Sequence, residues 1–217
     1  MYFSIVTITK NNPNGFNKTR QSVESQSFSD FEWVVVDGDI EPDNGIYDAM
    51  NKGVNRAKGD YIIFMNAGDI FADNNTLDAI SKHNADFIYG DAIELNFVKR
   101  AKPISKIKGG MITHHQAMVY KRSIINTLRF DENYSLAADY KFTLEFIKLS
   151  HSIYYIKLPL CIFELGGISQ NNAKQSRLQE IAIRQELKIF APLASYRQWF
   201  AQIIKHYCPW VFQAFKS

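Results

Sequence analysis

Cysteine is scarce in this chain. Among its 217 residues only Cys161 and Cys208 carry thiols, and they lie far apart in the sequence. Two isolated cysteines cannot form the disulfide framework of a small secreted domain or a four-cysteine zinc site. We therefore expect both to be core thiols of a protein that works in a reducing, cytoplasmic compartment.

Long apolar runs are missing as well. No stretch approaches the roughly 18 apolar residues that a membrane-spanning helix needs. The apolar segment near the amino terminus has neither a basic region before it nor a small-residue cleavage site, so it is typical of a first strand and not of a signal peptide. The sequence predicts a soluble protein that is bound at most to a membrane surface.

The chain also lacks a strong charge excess and a glycine-rich nucleotide loop. Its net charge is only +3, and no block of basic residues concentrates it, which argues against nucleic acid as a partner. No G-x-G-x-x-G follows a strand, so a dehydrogenase is disfavoured. The segment TKNNPNG offers only Lys10 and Gly15 as phosphate-loop residues, which disfavours a nucleotidyltransferase of similar layered architecture.

Hydrophobic residues are plentiful at 46%, against 22% charged residues, as in a globular protein with a sizeable core. Strand and helix patterns alternate along the chain, which predicts an α/β sandwich with a mostly parallel sheet and flanking helices. Strands are predicted at residues 3–9, 32–36, 61–65, 87–93, 117–120 and 153–160. Helices are predicted at residues 17–25, 45–58, 75–83 and 139–149, and residues 94–110 are predicted to form a basic loop.

Two carboxylates directly follow predicted strands. Asp37 ends the sequence EWVVVD, and Asp69 comes shortly after the strand at 61–65. Ligands of such sheets lie beyond the carboxyl ends of the strands, so both side chains are expected in that crevice. The alternative for each is an ordinary turn or cap residue.

Six segments, in this order, give the chain a resemblance to a known family: SIVTITKN, VVVDG, DNGIYDAMNKGVNRAKGDYIIFMNAGD, HHQAMVYKRS, FDENYSLAADYKF and GGIS. They resemble family 2 glycosyltransferases of the bacterial branch that builds exopolysaccharide, capsule or O-antigen units. The resemblance runs from Ser4 to about Ser169. It implies the GT-A fold, a nucleotide-diphosphate sugar donor such as a UDP-sugar, and inverting transfer to a hydroxyl of a saccharide or lipid-linked saccharide.

The resemblance also assigns roles to individual residues. Asp139 matches the catalytic base, and Asp69 matches the last acid of the metal motif that holds Mg²⁺ or Mn²⁺. The nucleotide-sugar group comprises Thr9, Asp37, Asn51, Lys52, Asn66 and Gly68. The acceptor-side group comprises His115, Gln116 and Gly167.

Elementary chemistry qualifies these roles. Asp69 has no second carboxylate nearby, so its hold on a cation would depend on substrate phosphates. Asp139 starts a helix, whose dipole is expected to lower the pKa of this carboxyl; the alternative is a helix-capping role. Lys52 could instead be a solvated helix lysine. Of the adjacent His114 and His115, one is expected to bind sugar or phosphate and the other to be structural.

One departure from the family complicates the resemblance. Residues 39–43 replace a helix and strand that the family normally has there, which predicts a smaller sheet and a more open base pocket. A non-catalytic relative that serves a polysaccharide assembly complex is therefore the alternative function.

We divide the chain into a GT-A domain at 1–170, with a donor half at 1–93 and an acceptor half at 94–170, and a helical tail at 171–217. The tail is amphipathic, and either lies in a membrane interface or packs on the domain.

Overall fold

The computed structural model describes residues 1–164, 166–167 and 171–189. Its strands form one eight-stranded sheet, with helices packed against it. The strands are β1 (Phe3–Thr9), β2 (Phe31–Asp37), β3 (Tyr61–Phe64), β4 (Ile70–Phe71), β5 (Phe87–Glu94), β6 (Phe97–Lys99), β7 (Met118–Lys121) and β8 (Ile153–Ile162). The α-helices are α1 (Pro13–Glu24), α2 (Ile46–Arg56), α3 (Thr76–Ser81), α4 (Arg122–Ile125), α5 (Ala138–Leu149) and α6 (Ala173–Glu186), and two 3-10 turns lie at Ile104–Gly109 and His115–Ala117.

The amino-terminal part of the sheet is parallel, as predicted. Strand β1 lies between β2 and β3 and runs parallel to both. Thr9 is paired with Asp37 at the ends of their strands, so the loops after these strands leave the sheet at one edge. This edge is where the sequence predicts the ligand crevice.

The sheet as a whole is mixed. Strand β7 runs antiparallel to both β3 and β5, whereas β8 is again parallel to β5, so the parallel order holds within β2–β1–β3 and between β5 and β8. The prediction of an α/β fold is confirmed, but the sheet is mixed where a mostly parallel one was predicted. Strand β4 is absent from the prediction because two residues are too few to show a period of two.

Core side chains cover both faces of the sheet. On one face Val6 and Phe64 pack in a cluster with Met50 of α2 and Phe142 of α5. On the other face a second cluster includes residues of β1, β3, α1 and α3, namely Phe3, Ile5, Ile63, Val23 and Leu77. Helices therefore lie on both sides of the sheet, and residues 3–7 of β1 are all buried because both faces of this strand are covered.

The segment between β2 and α2 contains only a tight turn. The backbone N–H groups of Ile40 and Glu41 donate to the carbonyl of Asp37, at 3.1 and 2.7 Å. Strand β2 consequently has β1 as its one strand neighbour and forms the edge of the described sheet. The short segment at 39–43 thus leaves this edge of the sheet open.

The described part of the tail packs on the domain. Ile183 of α6 is fully buried in the core, and the Nζ of Lys141 in α5 contacts the carboxylate of Glu186 at 2.5 Å. Residues 190–217, which carry Cys208 and the amphipathic pattern, lie outside the described residues; Cys161 is buried. Within the described ranges, no helix has the length and apolar character needed to cross a membrane.

Candidate active site

A large open cavity of about 1280 Å³ lies at the carboxyl edge of the parallel strands. Its wall combines the loop after β1, the amino-terminal end of α2, the NAGD segment, the 109–116 segment, the start of α5, residues 163–167 and one side of α6. The predicted site residues that line it are Thr9, Asn66, Asp69, His115, Gln116, Asp139 and Gly167. Segments far apart in the sequence therefore meet at one cleft.

Asp69 is held firmly in this cavity wall. Its Oδ2 accepts a hydrogen bond from the Gln116 side chain at 2.7 Å, and its Oδ1 accepts one from the backbone N–H of Glu164 at 2.9 Å. Burial raises the pKa of Asp69 to about 7, and these two hydrogen bonds oppose the rise. Gln116 thus positions Asp69 and also lines the cavity, so its assignment to the acceptor side stays a prediction.

The surroundings of Asp69 suit a hard cation. The Oδ1 of Asn66 is buried and has no hydrogen-bond partner among the described residues, and Asn66 lines the same cavity. Each Asp69 oxygen keeps a lone-pair site besides the bond it already accepts. One carboxylate and one amide oxygen do not form a cage, but Mg²⁺ commonly binds to one or two carboxylates together with substrate phosphates. Within the described residues no cluster of three acidic, histidine or cysteine ligands occurs.

Asp139 lies in the first turn of α5 and is half-buried. Its Oδ1 accepts hydrogen bonds from the Tyr140 backbone N–H at 2.9 Å and from the Tyr47 hydroxyl at 3.2 Å. Burial raises the pKa of Asp139 despite both bonds, so the expected lowering by the helix dipole is wrong. The effect of desolvation on the pKa outweighs that of the helix dipole, because the carboxyl lies in the wall of the cavity and is partly shielded from water.

The two histidines have different environments. His115 is buried, stacks on Phe64 with ring centroids 4.8 Å apart, and burial lowers its pKa to about 3. His114 stacks on Phe163 at 4.0 Å, and its Nε2 contacts the carboxylate of Glu94. His115 is therefore a neutral member of the aromatic core, and His114 is the one with a charged partner at the cavity.

Four predicted nucleotide-binding residues do not line the cavity. Asp37 accepts from the backbone N–H of Asp39 at 2.9 Å, as in an Asx turn. Asn51 pairs with Phe130, donating to its carbonyl at 3.0 Å and accepting from its N–H at 2.8 Å.

Lys52 and Gly68 are likewise engaged in the fold. The Nζ of Lys52 donates to the Pro42 carbonyl at 2.7 Å and lies 3.1 Å from the Asp48 carboxylate. Gly68 has a φ of +110°, and a Cβ there would lie 2.0 Å from a Glu164 oxygen. In the structure, Asn51, Lys52 and Gly68 therefore shape the loops around the cavity.

Several cavity residues were not predicted from the sequence. Tyr47, Glu94 and Lys99 line the cavity, and the Lys99 Nζ lies 2.9 Å from the Glu94 carboxylate. Arg177 and Glu180 of α6 also line it. The position of Tyr47 close to the motif DNG could have predicted it as a cavity residue. The residues of α6 could not be predicted in this way, because hydrophobic periodicity does not reveal how a helix packs on the rest of the domain.

Residues 39–133 match the family model "Glycosyl transferase family 2". A relative from Mycobacterium bovis, named "PGL/p-HBAD biosynthesis glycosyltransferase", is 26% identical over 231 residues, which cover 91% of this chain and 90% of the relative. The family match runs from the β2–α2 turn to residue 133, a few residues before α5.

Solved structures show the same fold. TarS of S. aureus superimposes with a TM-score of 0.65 at 20% identity, over 85% of this chain but only 39% of TarS; its 1–349 fragment was solved with UDP-GlcNAc. The mannosyltransferase PcManGT from Pyrobaculum calidifontis, solved with GDP-Man and Mn²⁺, gives a TM-score of 0.63 at 15% identity, over 96% of this chain and 71% of that protein. The fold is GT-A-like: an α/β architecture with a curled mixed sheet and flanking helices.

Proposed function

We propose that the chain is a family 2 glycosyltransferase, which moves a sugar from a UDP-sugar to a hydroxyl of a saccharide acceptor with inversion. We further propose that the acceptor is lipid-linked and that the product belongs to a cell-surface polysaccharide, such as a capsule or O-antigen.

One observation carries the proposal. Asp69, which follows β3, and Asp139, in the first turn of α5, line the same cavity. Transfer from a nucleotide sugar needs charge stabilisation at the departing diphosphate and a base at the attacking hydroxyl. The cavity brings together one carboxylate suited to each of these tasks.

The donor half of the cavity is assigned to the diphosphate. Asp69 and Asn66 would hold a divalent cation together with the donor phosphates, and a bound cation of this kind stabilises the negative charge of a leaving diphosphate. Gln116 and the Glu164 N–H orient Asp69 for this contact. Lys10 and Arg177 also line the cavity, which adds positive charge near a diphosphate.

The base of the donor is assigned to the open edge at β2. Thr9 lines the cavity there, and Asp37 is its neighbour across the strand pair. Asp37 itself lies outside the cavity wall, so the base would extend past Thr9 to reach it, and Oδ2 would accept from the uracil N–H because Oδ1 is engaged by Asp39. The short 39–43 turn leaves this position open on one side.

Asp139 is assigned to the acceptor hydroxyl. Its Oδ1 accepts both hydrogen bonds, so Oδ2 remains to take a proton as the acceptor oxygen attacks the anomeric carbon. Burial raises the pKa of this carboxyl toward the range in which a general base works best. His114, Glu94 and Lys99 lie on the acceptor side and offer polar contacts to a sugar.

Calorimetry with UDP tests the donor assignment. We expect UDP to bind in the presence of Mn²⁺ and to bind at least tenfold more weakly after the cation is chelated. The variant Asp139→Asn should keep this affinity but lose transfer by a factor of about 10² to 10⁴, the typical contribution of a general base. Absence of UDP binding with Mn²⁺ would favour the non-catalytic alternative, and undiminished turnover of the variant would remove Asp139 from its role.

A further inference from the structure

A short β-hairpin at the rim of the cavity exposes three apolar side chains. Strand β6 folds back on β5, with Glu94 paired to Phe97, so Leu95 and Asn96 form a two-residue turn. The exposed fractions are 69% for Leu95, 77% for Phe97 and 53% for Val98. These side chains are adjacent in the chain, and together they make an apolar tip.

The composition of the turn is unusual for its geometry. Leu95 and Asn96 have φ angles of +48° and +66°. Such positions favour asparagine, aspartate and glycine, which tolerate the left-handed conformation. Leu95 adopts it with an exposed branched side chain, so neither the turn geometry nor the core accounts for a leucine at this position.

The segment after the tip is basic and contains no carboxylate. It carries five cationic side chains, and no aspartate or glutamate occurs between Glu94 and Asp131. All five side chains are exposed. Among the described residues only Lys99 of this group makes an ion pair, with Glu94. The five residues are Lys99, Arg100, Lys102, Lys106 and Lys108.

We propose that this hairpin docks the protein onto an anionic membrane surface, with Leu95 and Phe97 inserted among the lipids and the basic residues against their headgroups. Apolar side chains with basic ones close by in the chain are the combination that binds anionic interfaces, and each basic residue near such a surface strengthens binding about fivefold. A second copy of this chain fits the surface less well, because a self-complementary contact would bring the exposed cationic side chains of both copies together.

Docking would place the cavity at the lipid surface. Glu94 at the base of the hairpin and Lys99 on β6 both line the cavity, as does Lys102. The opening would then face the headgroup layer, where the sugar part of a lipid-linked acceptor lies. The docking goes beyond the proposed transfer reaction and does not depend on it, since binding to vesicles requires no donor.

Vesicle sedimentation of the full chain tests the proposal. The vesicles contain phosphatidylcholine alone or with 40% phosphatidylglycerol. We expect binding to the anionic vesicles, at least tenfold weaker binding for Leu95→Ser/Phe97→Ser, and about 100-fold weaker binding for Arg100→Gln/Lys106→Gln/Lys108→Gln at low salt.

The matched control is Leu149→Ser/Leu158→Ser. It removes two apolar side chains that are 46% and 47% exposed, and Leu149 is the last residue of α5. The control should bind as the unaltered protein does, and all variants should unfold at the same temperature. Absence of binding by the unaltered protein, equal binding by the Leu95/Phe97 variant, or a change in oligomeric state without vesicle binding would each overturn the proposal.

Discussion

Ionisation of the Asp69 carboxyl should destabilise the folded protein at neutral pH in the absence of ligands. Burial raises the pKa of this carboxyl from 3.8 to about 7. The native state therefore retains the proton over a pH range in which the unfolded chain has released it. Stability should fall as the pH rises from about 4 to about 7, because in this range the unfolded state binds fewer protons.

The variant Asp69→Asn removes this ionisation while keeping the shape of the side chain. Its amide can still accept from the Glu164 N–H, and Gln116 can reverse its amide to accept from the new donor. From the pKa values, the unaltered protein should lose roughly 2.5 kcal/mol relative to the variant between pH 5 and pH 8. For a chain of this length that corresponds to about 5–10 °C in melting temperature.

Urea unfolding at pH 5 and pH 8, followed by circular dichroism without added metal or nucleotide, measures this difference. Asp86→Asn is the matched control: burial of Asp86 is outweighed by hydrogen bonds from the His151 N–H and the Lys121 side chain, which lower its pKa. Its contribution changes only below the usual carboxyl pKa, so its effect should be equal at both pH values. If the Asp69 variant also shows an equal effect at both, the reasoning about burial fails.

Three further substitutions test other parts of the site. Tyr47→Phe removes the hydroxyl that lowers the pKa of Asp139, so the acidic limb of the pH–rate profile should move to higher pH; an unmoved limb would separate Tyr47 from the base. Asn51→Ala should destabilise the fold by about 1–3 kcal/mol, because the Phe130 backbone loses both partners, with the UDP dissociation constant unchanged. Gln116→Ala should weaken Mn²⁺-dependent UDP binding severalfold in calorimetry, whereas unaltered affinity would show that Asp69 needs no support from Gln116.

Strong local patterns made most of the fold predictable. The strand at Phe3–Thr9 has the predicted bounds, because a run of β-branched and apolar residues between turn signals is unambiguous. The helix after Asn44 begins one residue later than a side-chain cap at Asn44 would place it, since Gly45 occupies the N-cap position. Strand direction was less predictable, because the antiparallel entry of β7 depends on the path of the intervening loops.

The cavity illustrates what residue type alone leaves open. A polar residue on a motif helix can face a ligand or a neighbouring loop, and only tertiary packing decides which. Asn51 turns to the Phe130 backbone, and Gln116 turns to Asp69. The sequence pattern placed Asp69 beyond a strand end, whereas the place of Asp139 at the same cleft was implied by the resemblance to family 2 glycosyltransferases.

The hydrogen bond between Asp69 and the Glu164 N–H links the two halves of the cleft. Glu164 lies two residues before Gly166, so the carboxylate that we propose to face the donor phosphates also anchors the segment that we propose to lie on the acceptor side. If the Asp69 carboxylate reorients when the donor binds, its hydrogen bond with the Glu164 N–H changes as well. If donor binding orders this segment, initial-rate kinetics should show a compulsory order in which the donor binds before the acceptor.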